Sequence, residues 1–139
     1  MGIKQLSILV ENKKGQMAEV IKTIADAGIN IRALSVADSK DFGILRLIVS
    51  DIDKAKALIS EDVIAKETEV IAVKMDDVEG SLYKILKVLG DADINVEYSY
   101  AFTASKAAGA YVVFRVDDTA NAEKILAEKG FAFISKDDI

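Results

Sequence analysis

The sequence predicts an α+β protein made of two tandem β-α-β-β-α-β units, in each of which both helices cover one face of an antiparallel sheet. Three observations predict it. Short stretches that alternate apolar and polar residues, or run nearly continuously apolar, are separated by longer stretches whose apolar residues recur at helical spacing. The order strand, helix, strand, strand, helix, strand occurs once in residues 1–67 and again in 68–139. The second half also repeats the first: Gly15, Met17, Ile24 and Asp26 match Gly80, Leu82, Leu89 and Asp91 at a constant offset, and Ile29-Asn30-Ile31 matches Ile94-Asn95-Val96. This order is that of a split βαβ, or ferredoxin-like, unit.

In the first unit, Lys4 to Val10 carries Leu6, Ile8 and Val10 on one face and reads as a strand. Asn12 to Gly15 is a turn. Met17, Val20, Ile21, Ile24 and Ala25 then recur at the spacing of an amphipathic helix, which Gly28 ends as the residue after the cap. Ile29 to Leu34 alternates and forms a second strand. Ser39 to Gly43 is a hairpin turn, and Ile44 to Val49 is apolar enough for a central strand. Asp51 or Asp53 caps a short helix with Ala55, Leu58 and Ile59 inward, and Val63 to Ala65 is the fourth strand.

The second unit follows the same order. Val70 to Met75 is a strand, and Gly80 to Leu89 is a helix burying Leu82, Ile85, Leu86 and Leu89. Ile94 to Phe102 and Ala110 to Val116 are strands, Asn121 to Glu128 is a helix, and Phe131 to Ser135 is the last strand. The matching strand pairs Leu45, Leu47, Val49 and Val112, Phe114, Val116 show that this unit has two extra residues between its second and third strands. The boundary near Lys66 to Glu69 has no Pro- or Gly-rich linker, so tight docking of the halves is expected. The sheet face without helices also looks apolar and calls for cover, because a unit of about 70 residues has a thin core.

Composition narrows the chemistry. The 139 residues include no Cys, no His, no Pro and no Trp, and the net charge is −5. Disulfides, thiolate or imidazole metal sites and a Ser–His triad are excluded. A net acidic chain is a poor binder of phosphate backbones, so no nucleic-acid partner is expected. No apolar run approaches a membrane span, and the start of the chain has no secretory or lipidation motif, so a soluble cytoplasmic protein is expected.

The turn-and-strand motifs Asn12-Lys13-Lys14-Gly15-Gln16-Met17 and Ala25-Asp26-Ala27-Gly28-Ile29-Asn30-Ile31, with the second copy at Asp77 to Leu82 and Gly90 to Val96, resemble those of the ACT domain, a regulatory module of amino-acid-metabolism enzymes. Glu69 to Met75 followed by Asn95 to Phe102 is similar to stand-alone tandem ACT proteins. The sequence departs from the family pattern at Lys14 and Glu79, where Pro often precedes the motif Gly, and at Asp77 for Asn and Asp93 for Gly. The resemblance implies a non-catalytic regulator that binds an amino acid in a cleft between domains or subunits. It implies contacts from Asn12, Gly15, Gln16, Met17, Asn30 and Ile31, and from Asp77, Gly80, Ser81, Leu82, Asn95 and Val96. It also implies no cofactor, a homodimer, and an amino-acid-metabolism enzyme as partner.

Physical chemistry supports such a site. Free N–H groups at a helix start and the helix dipole favour a carboxylate, and Asn12 offers both donor and acceptor. Asp77 favours an ammonium group more than Asn12 does. Structural roles stand beside these: Asn12 and Asp77 as helix caps, Asn30 and Asn95 as turn residues, Met17 and Leu82 as core. Tyr98, Tyr100 and Phe102 share one strand face and suit an interface better than a ligand wall. Arg32 and Glu97, at matched positions, would pair across a pseudo-twofold interface. The alternative function is a ligand-independent module for oligomerisation or partner binding. Catalysis through Asp76, Asp77 and Glu79 is the third and weakest reading, since the first strand-to-helix turn also lacks the Arg that acylphosphatase chemistry needs.

Overall fold

The computed structural model describes residues 2–59, 63–104 and 109–139. The chain divides into two compact units, Lys4–Thr68 and Glu69–Ile139, the second including Gly2 and Ile3. The elements are β1 (Ile3–Glu11), α1 (Gln16–Asp26), β2 (Ile31–Asp38), β3 (Phe42–Val49), α2 (Ile52–Leu58), β4 (Ile64–Met75), α3 (Ser81–Asp91), β5 (Val96–Thr103), β6 (Ala110–Val116) and α4 (Thr119–Glu128).

In the first unit β3 lies between β2 and β1, as its continuous apolar run requires, and pairs antiparallel with both. Leu6 and Ile8 of β1 face Leu47 and Leu45 of β3. With Ile24 of α1 and Ala55 of α2 they form a core under the helices. In the second unit the order is β4-β6-β5. Ile71 and Val73 pair with Phe114 and Val112, and these pack with Ile85, Leu89, Ala122 and Leu126. Glu67, at the start of β4, takes ion pairs from Lys4 of β1 at 3.4 Å and from Lys56 of α2 at 3.9 Å.

The repeat extends to small devices. Asp51 caps α2 by accepting from the Lys54 N–H at 3.0 Å, and Asp118 caps α4 by accepting from the Asn121 N–H at 3.1 Å. Lys22 pairs with Asp26 and Lys87 with Asp91 one helical turn on. α1 and α3 end alike, with Ile29 N–H donating to Ile24 and Ile94 N–H to Leu89, while Gly28 and Asp93 donate to Ala25 and Gly90. These are Schellman closures, in which the residue after the cap takes a left-handed conformation. The β2–β3 and β5–β6 ladders each have a bulge at a matched place, at Arg32 between Ile31 and Ala33 and at Glu97 between Val96 and Tyr98.

Three expectations are corrected. The strands read at Val63 to Ala65 and Val70 to Met75 are one strand, Ile64–Met75, because no Gly or Pro interrupts the extended backbone. The final strand is absent as such. Phe133 makes one isolated bridge to Val73, fixed by Lys74 N–H to Ala132 and Ile134 N–H to Ala72, before the Ser135–Asp138 turn ends the pairing. Leu58, Leu82 and Leu86 are exposed, and only Ala55 in α2 and Ile85 and Leu89 in α3 are fully inside. Leu58 is the last residue of α2, and Leu82 lies in the first turn of α3. Within its own unit Glu97 pairs with Arg115 at 3.0 Å, and Arg115 also donates to the Glu69 carbonyl at 2.9 Å.

The two extra residues read between the second and third strands of the second unit fall at 104–109, of which 105–108 lie outside the described residues. On the sheet faces away from the helices, Ile3, Gln5, Ala33, Ile48, Val70, Ala72, Tyr111 and Val113 are buried. Tyr98, Tyr100 and Phe102 share that face half-buried, and Phe102 stacks on Tyr111 at 5.6 Å. No helix among the described residues is long and apolar enough to cross a membrane.

Candidate functional site

The two strand-to-helix turns are built the same way. Gln16 N–H donates to the Lys13 carbonyl at 3.3 Å, and Gly15 between them has φ 85° and ψ −11°. Ser81 N–H donates to the Val78 carbonyl at 3.3 Å, and Gly80 has φ 82° and ψ −1°. Those dihedrals are the third position of a type II β-turn, where a residue with a Cβ is strained. No protein atom lies within 4 Å of a Cβ built on either glycine. The glycines are therefore required by backbone conformation, and the space above each is open.

Both helices start without a side-chain cap. Asn12 and Asp77 are not caps. The capping position belongs to Gly15 and Gly80, and both acidic or amide side chains stand exposed at the turn. The core role read for Met17 and Leu82 is corrected as well: each is 42% exposed at the start of its helix. Each unit thus presents, at one end, an uncapped helix N-terminus, an open glycine, an Asn or Asp and an apolar side chain. This combination offers partial positive charge to a carboxylate and apolar surface beside it.

Asn30 and Ile31 lie elsewhere. They follow the C-terminus of α1, an 11-residue helix, and are separated from the turn by roughly 16 Å at 1.5 Å per residue. Asn30 is held there by its backbone, with its N–H donating to Ser50 Oγ and its carbonyl accepting from Ser50 N–H, both at 2.9 Å. Asn95 makes the same clasp with Asp117, at 3.2 and 3.3 Å. Within one unit, Asn12, Gly15, Gln16 and Met17 come together, as do Asp77, Gly80, Ser81 and Leu82, but Asn30, Ile31, Asn95 and Val96 sit at the opposite end.

What the first turn has beside it instead is the β2–β3 hairpin. Asn12 N–H donates to the Asp41 carbonyl at 3.0 Å, and Glu11 pairs with Phe42, which is 43% exposed. The sequence reading missed these neighbours. Topology carries the signal, because the end of the first strand and the next hairpin must share one edge of the sheet in a βαββ unit. Asp76, Asp77 and Glu79 are exposed, and no group of acidic side chains placed to hold a metal ion occurs among the described residues.

Comparison with known proteins agrees with this architecture. The family model described as an ACT domain pair matches residues 1–139. Protein BT0572 from Bacteroides thetaiotaomicron is similar at 37% identity, over 99% of this chain and 95% of that one, with a TM-score of 0.90. The fold is also shared with the regulatory subunit of aspartate kinase from Thermus flavus, at 13% identity over 91% and 90% of the two chains and a TM-score of 0.63. The ligand-free subunit from Thermus thermophilus is similar at 13% identity over 89% and 88%, with a TM-score of 0.60. No curated protein matches. With its whole length matched by the pair model and both units built on the same turn, this chain belongs to the ACT domain pair family.

Proposed function

We propose that this protein is a regulatory, non-catalytic sensor whose two modules, residues 1–67 and 68–139, bind a small molecule at the strand-to-helix turns, and that the ligand is an amino acid. The observation that carries the reading is the pair of uncapped helix starts behind open left-handed glycines. They are exposed, they occur in both units, and they have the polarity for a carboxylate. Asn12 or Asp77 faces the ligand's ammonium group, while Met17 or Leu82 meets its side chain. Asn30, Ile31, Asn95 and Val96 contribute to a turn other than that of their own unit, from which they lie far. The membership of the ACT family and the likeness to regulatory subunits support regulation of an amino-acid-metabolism enzyme in the cytoplasm.

A ligand regulates only by binding two arrangements of the protein unequally. At 100 times its Kd it adds about 2.7 kcal/mol to stability. A thermal-shift series over the twenty amino acids tests the reading. A rise for one or a few, abolished by Gly15→Val or Gly80→Val and weakened by Asn12→Ala or Asp77→Ala, is expected. No shift with any amino acid would leave the ligand-independent interaction module as the better reading.

A further inference from the structure

α3 carries an apolar face that its own unit leaves uncovered. Ile85 and Leu89 enter the core, while Leu82, Tyr83 and Leu86 stand exposed outside it. Leu82 and Leu86 are one helical turn apart, and Tyr83 precedes Leu86 by three residues, so the three adjoin on the helix surface. Val78 extends the face into the turn that leads to the helix, and Val78 and Tyr83 are 62% and 65% exposed. Scattered exposed apolar residues are ordinary, but a group of them with a polar border marks an interaction surface.

The border is acidic. Asp76, Asp77 and Glu79 stand exposed on either side of Val78, and no cation among the described residues pairs with them. Lys87 is tied to Asp91. Lys84 lies two residues before Leu86, which at 3.6 residues a turn sets it about 200° away around the helix.

The first unit has no such surface. Where the second unit has Val78, Glu79 and Tyr83, the first has Lys13, Lys14 and Ala18. The backbones of the two turns are the same, so the fold itself does not require an apolar residue at 78 or 83. The second copy of the module keeps the turn and changes what it presents to solvent.

We propose that this face of α3 docks an amphipathic, basic helical segment of a partner protein. The apolar side of that segment lies on Val78, Leu82, Tyr83 and Leu86, and its Lys or Arg side chains meet Asp76, Asp77 and Glu79. Charge complementarity selects this occupant. A second copy of the chain brings a net charge of −5 to an already acidic border. An anionic lipid surface is repelled by the same carboxylates. Val78, Tyr83 and Leu86 take no part in the ligand contacts proposed above, so docking and ligand binding are read separately.

The probe is a synthetic Leu–Lys amphipathic helix with a Trp on its apolar side. The chain has no Trp, so the peptide's emission reports contact directly. A saturable blue shift, weakened by added salt, is expected with the full chain. Tyr83→Ser combined with Leu86→Ser keeps every charge and should weaken binding about tenfold with circular dichroism unchanged. Asp76→Asn combined with Glu79→Gln should weaken it comparably and flatten the salt dependence. Glu128→Gln combined with Asp137→Asn removes as much charge elsewhere on the second unit and should leave binding as it was. Equal binding by the Tyr83 and Leu86 variant, an equal loss in the Glu128 and Asp137 variant, or equal binding of a Leu–Glu helix overturns the proposal. Self-association of the chain that is lost in the Tyr83 and Leu86 variant, or binding to phosphatidylserine vesicles that is lost in it, gives the face to another occupant and overturns it as well.

Discussion

Gly28 and Asp93 take the same left-handed step after matching helices, with φ of 74° and 58°. Each closes its helix by the same pair of backbone hydrogen bonds. The second unit thus achieves with an aspartate what the first achieves with glycine. Aspartate tolerates this region better than most residues but still has the steric cost of a Cβ. Asp93→Gly is therefore expected to stabilise the protein by roughly 0.5–1 kcal/mol, and Gly28→Asp to destabilise it by a similar amount. Urea unfolding midpoints of the full chain measure both, and a loss of stability in Asp93→Gly would show that the aspartate makes a compensating contact.

Lys14 and Glu79 hold the second position of the two type II turns that end at Gln16 and Ser81. Proline is favoured there because its fixed φ suits the turn. Lys14→Pro and Glu79→Pro should each raise stability by about 0.4–1 kcal/mol by restricting the unfolded chain. A preformed turn should also tighten any amino acid found to bind. Thermal unfolding with and without ligand checks both effects.

Asp51 and Asp118 cap α2 and α4 through the N–H groups of Lys54 and Asn121. Asp51→Ala or Asp118→Ala should cost about 1 kcal/mol each, and the double variant about the sum, because the caps belong to different units. Neither cap lies at the Gly15 or Gly80 turn, so ligand-induced shifts should keep their size.

Asn12 and Asp77 present the opposite case. Their side chains are exposed and cap nothing. Asn12→Ala and Asp77→Ala should leave unliganded stability within about 0.5 kcal/mol of the parent, as surface changes do. Any loss should appear in ligand binding alone, read by calorimetric titration with the amino acid that gives a thermal shift.

Most of the fold was legible in the sequence because apolar spacing reports the face an element buries. Leu6, Ile8, Ile24, Leu45 and Leu47 are inside as their periodicity requires. Spacing does not report how far a neighbouring layer extends, which is why Leu58, Leu82 and Leu86 read as core and are exposed. Gln5 shows the reverse failure. It is fully buried with its amide donating to Ser7 Oγ at 2.9 Å, and no local pattern distinguishes it from a solvated strand residue. For the site, the turns were legible from their glycines. The placement of Asn30 and Asn95 was not, because residues that lie close in one motif are set apart by the length of the helix between them.

The difference between the β2 and β5 edges bears on solubility. An exposed strand edge flanked by apolar side chains invites uncontrolled pairing, and smaller or polar residues blunt it. Leu34 and Val36 keep the β2 edge apolar and exposed, while Ser99, Ala101 and Thr103 stand at the matching places of β5. A duplicated module keeps its backbone devices in both copies while the chemistry of its two edges diverges.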